Sequence, residues 1–417
     1  MKITGIIAEY NPFHNGHLYH IKKALERTGS DAAVVVMSGN FVQRGAPAII
    51  PKHLRAEMAL KGGAAAVLEL PVCFSCGSAE LFAMGAVSLL DSLGCVGSLC
   101  FGSECGSIEE LSQAASILSK EPEDFKRLLR SYLQKGCSFP AARRMALADY
   151  TKDSRMAQLL DTPNNALGIE YLKALSRVKS PIRPYTIARC GAGHHEKGRS
   201  GRFSSASSIR TQIAEVTRTK FVSDRAWETL SFQVPSFCMP VLKESWQIRY
   251  PICAHDLSLP LRYKLLSQTR DSLLLYADMT PDLANRIMNR LDEFQDWDTF
   301  SAALKTKEIT YTRISRVLLH ILLDIRKDDL DAYAGNGMAQ YARLLGFSQK
   351  SKWVLQRFKL CSRIPLVMNP ARPDTVSDLG KRMLKTDCFA ADLYESTAAF
   401  KFHRPFLNEC RQEIRIL

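Results

Sequence analysis

The sequence predicts an α/β protein: a parallel sheet with helices on both faces, followed by a mostly α-helical C-terminal half. Three observations lead there. Short runs rich in Val, Ile and Leu alternate with amphipathic helical patterns through the first half, as in sheets buried on both faces. After about residue 220 the β signals fade, and residues 255–417 read as successive amphipathic helices. At 417 residues the chain is also too long for one ordinary core. The expected division is a sheet domain over 1–220 and a helical domain over 221–417.

Each element follows from its own pattern. "KITGIIAEY" reads as the first strand, and "GHLYHIKKALERTG" as an amphipathic helix closed by Gly29. "AAVVVMSG" is the second strand. "PKHLRAEMALKGG" places Pro51 near a helix start and Gly62 at its end. "AAAVLELPV" is the third strand, "SAELFAMGAVSLLDSLG" a helix and "SLCFGSE" the fourth strand. Four helical segments follow: "SIEELSQAASILS", "EPEDFKRLLRSYLQKG", "FPAARRMALADYT" and "TPNNALGIEYLKALSRV". "PIRPYTIARC" returns as a strand, a Gly- and Arg-rich stretch follows, and "SSASSIRTQIAEV" opens a helix on a run of serines. Later segments such as "TYTRISRVLLHILLDI" and "AQYARLLGF" read as helices.

Composition narrows the class. With 56 Lys and Arg against 42 Asp and Glu, the chain carries a formal charge of +14, which favours a polyanionic partner such as nucleic acid. Of twelve cysteines, only Cys73 and Cys76 form a CxxC, and no second pair lies at zinc-finger spacing. Many others sit in apolar or helical runs, as reduced thiols of a cytoplasmic protein do. No metal site is expected from them. No apolar run reaches bilayer length, so no membrane partner is expected. The chain runs almost at once into a strand, with no signal-peptide pattern.

The sharpest motif is "AEYNPFHNGHLYH", residues 8–20, between the first strand and the first helix. Open parallel sheets bind ligands at the C-terminal ends of their strands. Gly16 lets backbone approach a ligand, and the following helix offers free N–H groups and a positive dipole end to phosphate. His14 and His17, three apart at a helix opening, can point the same way and donate to phosphate oxygens. Read blandly, they are capping histidines in a polar turn, but their position between strand and helix favours the phosphate site. The motif is neither a P-loop nor a GxGxxG.

Weaker features support it. In "SSASSIR", residues 204–210, serines ahead of a helix are ordinary caps, but Arg210 one turn in makes a second phosphate cradle. "FGSE", residues 101–104, ends a strand where a base or ribose would lie, and "IARCGAGHH" ends another with Arg189, Gly191 and Gly193. Asn164 and Asn165 are either a helix cap or readers of a nucleotide edge. Basic groups occur around Arg143 and Arg144 with Lys152 and Arg155, around Arg313, Arg316 and Arg326, and around Lys350, Lys352, Arg357 and Lys359 with Trp353 and Phe358 interleaved. They are candidate contacts to a nucleic-acid backbone.

The HxGH motif and the serine-rich helix entrance ending in Arg resemble the HIGH superfamily of nucleotidylyltransferases. More closely, "GIIAEYNPFHNGHLYHI", "VVVMSGNFVQRGAPAI", "LELPV", "FGSE", "NNALGIEYLKAL" and "TYTRISRVLLHILL" resemble the tRNA(Met) cytidine acetate ligase family over nearly the whole chain. That resemblance implies a Rossmann-like nucleotidyltransferase domain and a cytoplasmic, ATP-dependent ligase, with Mg2+ accompanying the nucleotide. Acetate becomes acetyl-adenylate, and acetyl passes to N4 of the wobble cytidine of elongator tRNA(Met), giving N4-acetylcytidine, AMP and diphosphate. DNA is not an expected partner. Carried over by motif, ATP contacts Ile7, Ala8, Glu9, Tyr10, Asn11, Pro12, Phe13, His14, Asn15, Gly16, His17, Leu18, Tyr19 and His20, then Gly102, Asn165 and Arg189. His14 and His17 are the catalytic pair at the phosphates, supported by Ser205, Ser207 and Arg210. Arg143, Arg144, Arg313 and Arg316 are the candidate tRNA contacts. One departure is clear: the family's Gly-Ala-Gly segment is expected to continue Tyr-His-Asp, and here it reads "GAGHHE", with His194, His195 and Glu196.

Two other readings fit parts of the pattern. A nucleotidylyltransferase for a small phosphate-ester metabolite would keep the motif but would not need the basic helical half. A non-catalytic RNA-binding protein would not need both histidines, the glycine and Arg210.

Overall fold

The computed structural model describes residues 1–189, 205–218 and 224–417. Its main sheet contains β1 (Ile3–Ala8), β2 (Ala32–Ser38), β5 (Ala66–Leu70), β6 (Ser98–Ser103) and β7 (Arg183–Ala188). These five run parallel in the order β5-β2-β1-β6-β7. The chain thus reverses its direction of winding between β1 and β6, the place where such sheets open a ligand crevice. Every residue of β2 is buried. Its Ala32, Val34 and Val36 join one core, and Ala33, Val35 and Met37 join the other, so the strand is covered on both faces. Helices Asn15–Thr28 and Lys52–Lys61 bury Ile21, Ala24, Leu54 and Met58 in the second core. Helices Ala79–Ser92, Ile108–Lys120 and Pro163–Arg177 cover the first.

A small antiparallel hairpin, β3 (Phe41–Val42) with β4 (Ala46–Pro47), stands beyond the end of β2. Its turn holds Gly45 at φ +75°, and a Cβ there would lie 2.3 Å from the backbone nitrogen of Arg316. Helix Tyr311–Leu323 therefore packs directly on this turn.

The second half is mostly helical, but one segment read as a helix is a strand. "AQYARLLGF" contains β8 (Ala342–Phe347), which joins the sheet antiparallel to β5. β9 (Leu366–Val367) and β10 (Arg415–Ile416) pair with β8. Ala, Arg and Leu are strong helix formers, and a strand buried along its whole length shows no alternation to betray it. Buried residues from both halves of the chain, from Ile3 to Ala398, join the first core.

A buried ionic cluster locks β8 in place. Lys52 Nζ lies 2.8 Å from Glu69 and 2.8 Å from Glu409, Arg343 of β8 lies 3.0 Å from Glu409, and His53 lies 3.4 Å from it. Burial alone would raise the Glu409 carboxyl, but Lys52, His53 and Arg343 hold it well below the usual carboxylate range. Removing one charge from such a set strands the others in low dielectric. Glu409→Gln should therefore cost about 3 kcal/mol of stability, read as a lower urea midpoint at unchanged slope.

Candidate active site

A cavity of about 480 Å³ opens at the C-terminal ends of β1, β6 and β7. Ile7 and Ala8, Phe101 and Gly102, and Ile187 and Ala188 are the strand ends that line it. Phe82, Leu167 and Tyr171 add apolar surface from two helices, and the β3–β4 turn leans Gln43 and Arg44 over the opening.

His14 and His17 stand on its wall. His14 is the N-cap of helix Asn15–Thr28, and its Nδ1 accepts the Gly16 N–H at 3.0 Å. The His17 Nδ1 accepts the His14 N–H at 3.2 Å. The imidazoles stack at 3.7 Å. The rings cap the helix and also line the cavity. Because each Nδ1 accepts, the proton of each neutral ring sits on Nε2, leaving one donor per ring. The rings are held neutral. Burial, then Arg189 and Arg210, pull His14 down to about 3. Burial, then His14, Arg189 and His20, hold His17 well below the ordinary histidine range. Burial and Arg189 bring His20 down to about 4. A Cβ on Gly16 would lie 2.9 Å from the His14 ring, so any side chain there would displace the stack.

Positive charge comes from the arginines. Arg210 donates to the Asn11 carbonyl at 2.8 Å and to the Ser207 hydroxyl at 2.9 Å. Arg189 donates to Asn164 Oδ1 at 3.2 Å. Arg44 is exposed at the rim, 3.5 Å from the Ser207 hydroxyl. Two carboxylates line the same space. Glu9 accepts the Gln43 N–H at 3.1 Å. Glu104 accepts the backbone N–H groups of Asn164 and Asn165 at 3.3 and 2.7 Å, satisfying donors at the helix start that Thr162 leaves uncapped.

The structure gathers Ile7, Ala8, Glu9, Tyr10, Asn11, His14, Gly16, His17, Tyr19, His20, Gly102, Arg189, Ser205, Ser207 and Arg210 around one space. Four residues of the 7–20 segment serve elsewhere. Phe13 is buried in the second core, with Leu18 partly buried against it. Pro12 and Asn15 are not part of the cavity lining, and Asn15 reaches out to the Phe232 carbonyl. Of the two asparagines, Asn165 is buried, its Oδ1 accepting from the N–H groups of Glu104 and Cys105, while Asn164 lines the cavity. Its register in the helix decided this, and that was not visible from "NN". Also unforeseen was Arg55, buried behind the cavity and donating to the carbonyls of Glu9, Ser38, Gly39 and Ile50. Burial brings its guanidinium down to about 10. Nothing in "HLRAEM" distinguishes it from a solvated helix arginine.

The basic candidates diverge. Arg143 pairs with buried Glu170 at 2.9 Å, so it is an internal ion-pair partner rather than a surface cation. Arg144 pairs with Asp161 at 3.4 Å and Arg316 with Asp278 at 3.5 Å. Arg313 lines a separate groove. Ser204, Gly191, Gly193, His194, His195 and Glu196 lie outside the described residues. The described cysteines are all free thiols. No helix among the described residues is long and apolar enough to cross a membrane.

Two outcomes follow. Asn164→Ala should weaken ligand binding in the cavity about tenfold with little change in stability, whereas Asn165→Ala should lower stability by about 1–3 kcal/mol through the two orphaned N–H groups; calorimetric binding and thermal unfolding separate them. For pH, the unfolded chain protonates its histidines near about 6.5, while the native cavity keeps its rings neutral. The unfolded state then binds more protons, so the stability held by neutral rings is complete above about pH 6.5 and drains as pH falls toward 4. His20→Gln should shrink the stability lost between pH 7.5 and 5 by about 1 kcal/mol; an unchanged pH profile would refute the assignment.

A model of the HIGH nucleotidyl transferase family matches residues 1–406. The chain is 40% identical over 399 residues to the tRNA(Met) cytidine acetate ligase of Acetivibrio thermocellus, with 94% of each chain covered. It is 40% identical over 403 residues to that of Caldanaerobacter subterraneus subsp. tengcongensis, with 96% of each covered. Among solved structures, Thermotoga maritima TmcAL bound with alpha-thio ATP superposes at a TM-score of 0.87 and 32% identity, over 100% of this chain and 97% of that one. The apo form of the same protein gives a TM-score of 0.88 at 33% identity, over 100% and 99%. The chain belongs to the HIGH nucleotidyl transferase family and, within it, to the tRNA(Met) cytidine acetate ligases.

Proposed function

We propose that this chain binds ATP in the cavity, activates acetate as acetyl-adenylate, and transfers the acetyl group to N4 of the wobble cytidine of elongator tRNA(Met) in the cytoplasm. The observation that carries the proposal is the stacked His14–His17 pair at the crevice of the sheet, each ring held neutral with its Nε2 proton free to donate. An acetate oxygen attacks the α-phosphorus of ATP. A new P–O bond forms, the bond from the α-phosphorus to the bridging oxygen breaks, and diphosphate leaves. The cytidine amine then attacks the acyl carbon, AMP departs, and the amine gives up one proton.

Such a displacement needs positioning and charge stabilisation more than a protein nucleophile. The two Nε2–H donors, the N-terminus of helix Asn15–Thr28 and the guanidinium groups of Arg189 and Arg210 suit the charge that builds on leaving diphosphate. Neutral imidazoles donate without the cost of burying a cation. Magnesium fits as a companion of the nucleotide. Among the described residues no group of three or more His, Cys, Asp or Glu is arranged to hold a metal ion, and Mg2+ commonly rides on substrate phosphates with few protein ligands.

Purified protein given ATP, isotopically labelled acetate and elongator tRNA(Met) should yield labelled N4-acetylcytidine, detected by mass spectrometry of the digested nucleosides. Unlabelled cytidine alone would sink the reading. His14→Asn keeps a good helix cap and removes the Nε2 donor. Acetate-dependent exchange of diphosphate into ATP should fall about 10²–10³-fold with the unfolding midpoint nearly unmoved.

A further inference from the structure

Apart from the nucleotide site, an open groove of about 800 Å³ lies in the helical half. One wall is helix Pro281–Asn289 and the residue after it, which place Asn285, Arg286, Asn289 and Arg290 toward the groove. The other wall is the turn carrying Lys307, followed by Arg313 one turn into helix Tyr311–Leu323. The carboxylates of Asp282 and Glu308 also line it, so four cations face two anions. Arg290 is committed to the walls, donating to the Ala303 carbonyl at 3.0 Å. The side chains of Arg286 and Lys307 make no hydrogen bond or ion pair among the described residues.

We propose that this groove seats the sugar–phosphate backbone of the RNA substrate and begins a basic track leading to the nucleotide cavity. The proposal rests on the reading above that the substrate is a tRNA. A small anion is held by donors converging on one point; here cations and side-chain amides are spread along two walls. That arrangement matches a chain of phosphates and riboses. The track is set by packing. One turn beyond Arg313 stands Arg316, whose backbone nitrogen closes on Gly45 in the β3–β4 turn. The residue before Gly45 is Arg44, exposed on one side and lining the nucleotide cavity on the other. An RNA strand leaving the groove along this helix therefore arrives at the rim of the cavity where the acetyl group is activated. This assignment adds Arg286, Lys307 and Arg44 to the candidate RNA contacts, and it leaves out Arg143, whose charge is spent on Glu170.

The test compares two charge-matched double variants. Arg286→Gln with Lys307→Gln removes the two uncommitted groove cations while keeping their stems. Lys120→Gln with Lys385→Gln removes two exposed lysines elsewhere. Binding of an elongator tRNA(Met) transcript is measured by fluorescence anisotropy across a salt series. The groove variant should raise Kd about tenfold and reduce the slope of log K against log salt by about 2, and the other pair should change Kd less than twofold. Wild-type affinity and slope in the groove variant, or equal weakening by the lysine pair, would overturn the groove. Nucleoside analysis separates this from the functional reading. If the wild type binds tRNA and the groove variant does not, yet the wild type makes no N4-acetylcytidine, the groove stands and the ligase reading falls. If both acetylate and bind equally, the ligase reading stands and the groove falls.

Discussion

Lys52 is a buried ammonium between two buried carboxylates, at the start of a helix that ties the late strands to the sheet. Burial by itself disfavours its charge, and Glu409 and Glu69 more than restore it. Glu69 belongs to β5, Glu409 follows the long C-terminal helix Asp378–Lys401, and Arg343 on β8 completes the compensation. A buried charge must be paired, so the C-terminal segment cannot leave without stranding Arg343 and half-uncovering Lys52. One turn along, Arg55 donates to the Glu9, Ser38 and Gly39 carbonyls, fastening the ends of β1 and β2. The same helix that admits the late strands to the sheet thus fixes the loop leading into His14.

That anchoring has a chemical consequence. Under the proposed function the cavity needs donors aimed at phosphate before any phosphate arrives, because preorganised dipoles cost no rearrangement during reaction. His14 and His17 meet this need through backbone bonds at both Nδ1 atoms, which pin the ring planes and the tautomer together. Tyr10 packs its ring edge-on against His17 at 4.7 Å from within the buried turn, at φ +50°, a backbone state that bulky residues rarely adopt. Strain of this kind persists where the surroundings over-determine it, and here the surroundings are the carbonyls held by Arg55.

The nucleotide half was legible because its signals are local. Strand, turn and helix periods change within a few residues, and HNGH sits at the change. Elements of β8 and the ionic cluster were not legible, since Arg343 reads as a helix surface residue until Glu409, 66 residues away, is known to meet it. The same holds within the site. Asn164 and Asn165 are adjacent, and only the pairing of Glu104 with the helix start decides which one faces ligand. Phe82, Leu167 and Tyr171 line the cavity from helices whose sequences mark them only as core. Local pattern exposes backbone chemistry, whereas compensation across the sheet depends on topology.

The β3–β4 hairpin illustrates what topology adds. Two residues per strand is too short for any period, yet its turn serves two sites at once. Gly45 admits helix Tyr311–Leu323 to van der Waals range, and Gln43 and Arg44 line the cavity. A side chain at position 45 would push that helix away, and Arg313 with it. The spacing between an RNA-binding groove and the activated acetyl group would then be lost, though no residue of either site had changed. An enzyme that passes an activated group to a bound acceptor must hold the two at a fixed separation, since misplacement by about 1 Å can cost a hundredfold in rate. In this fold that separation is set by a glycine turn rather than by either binding site.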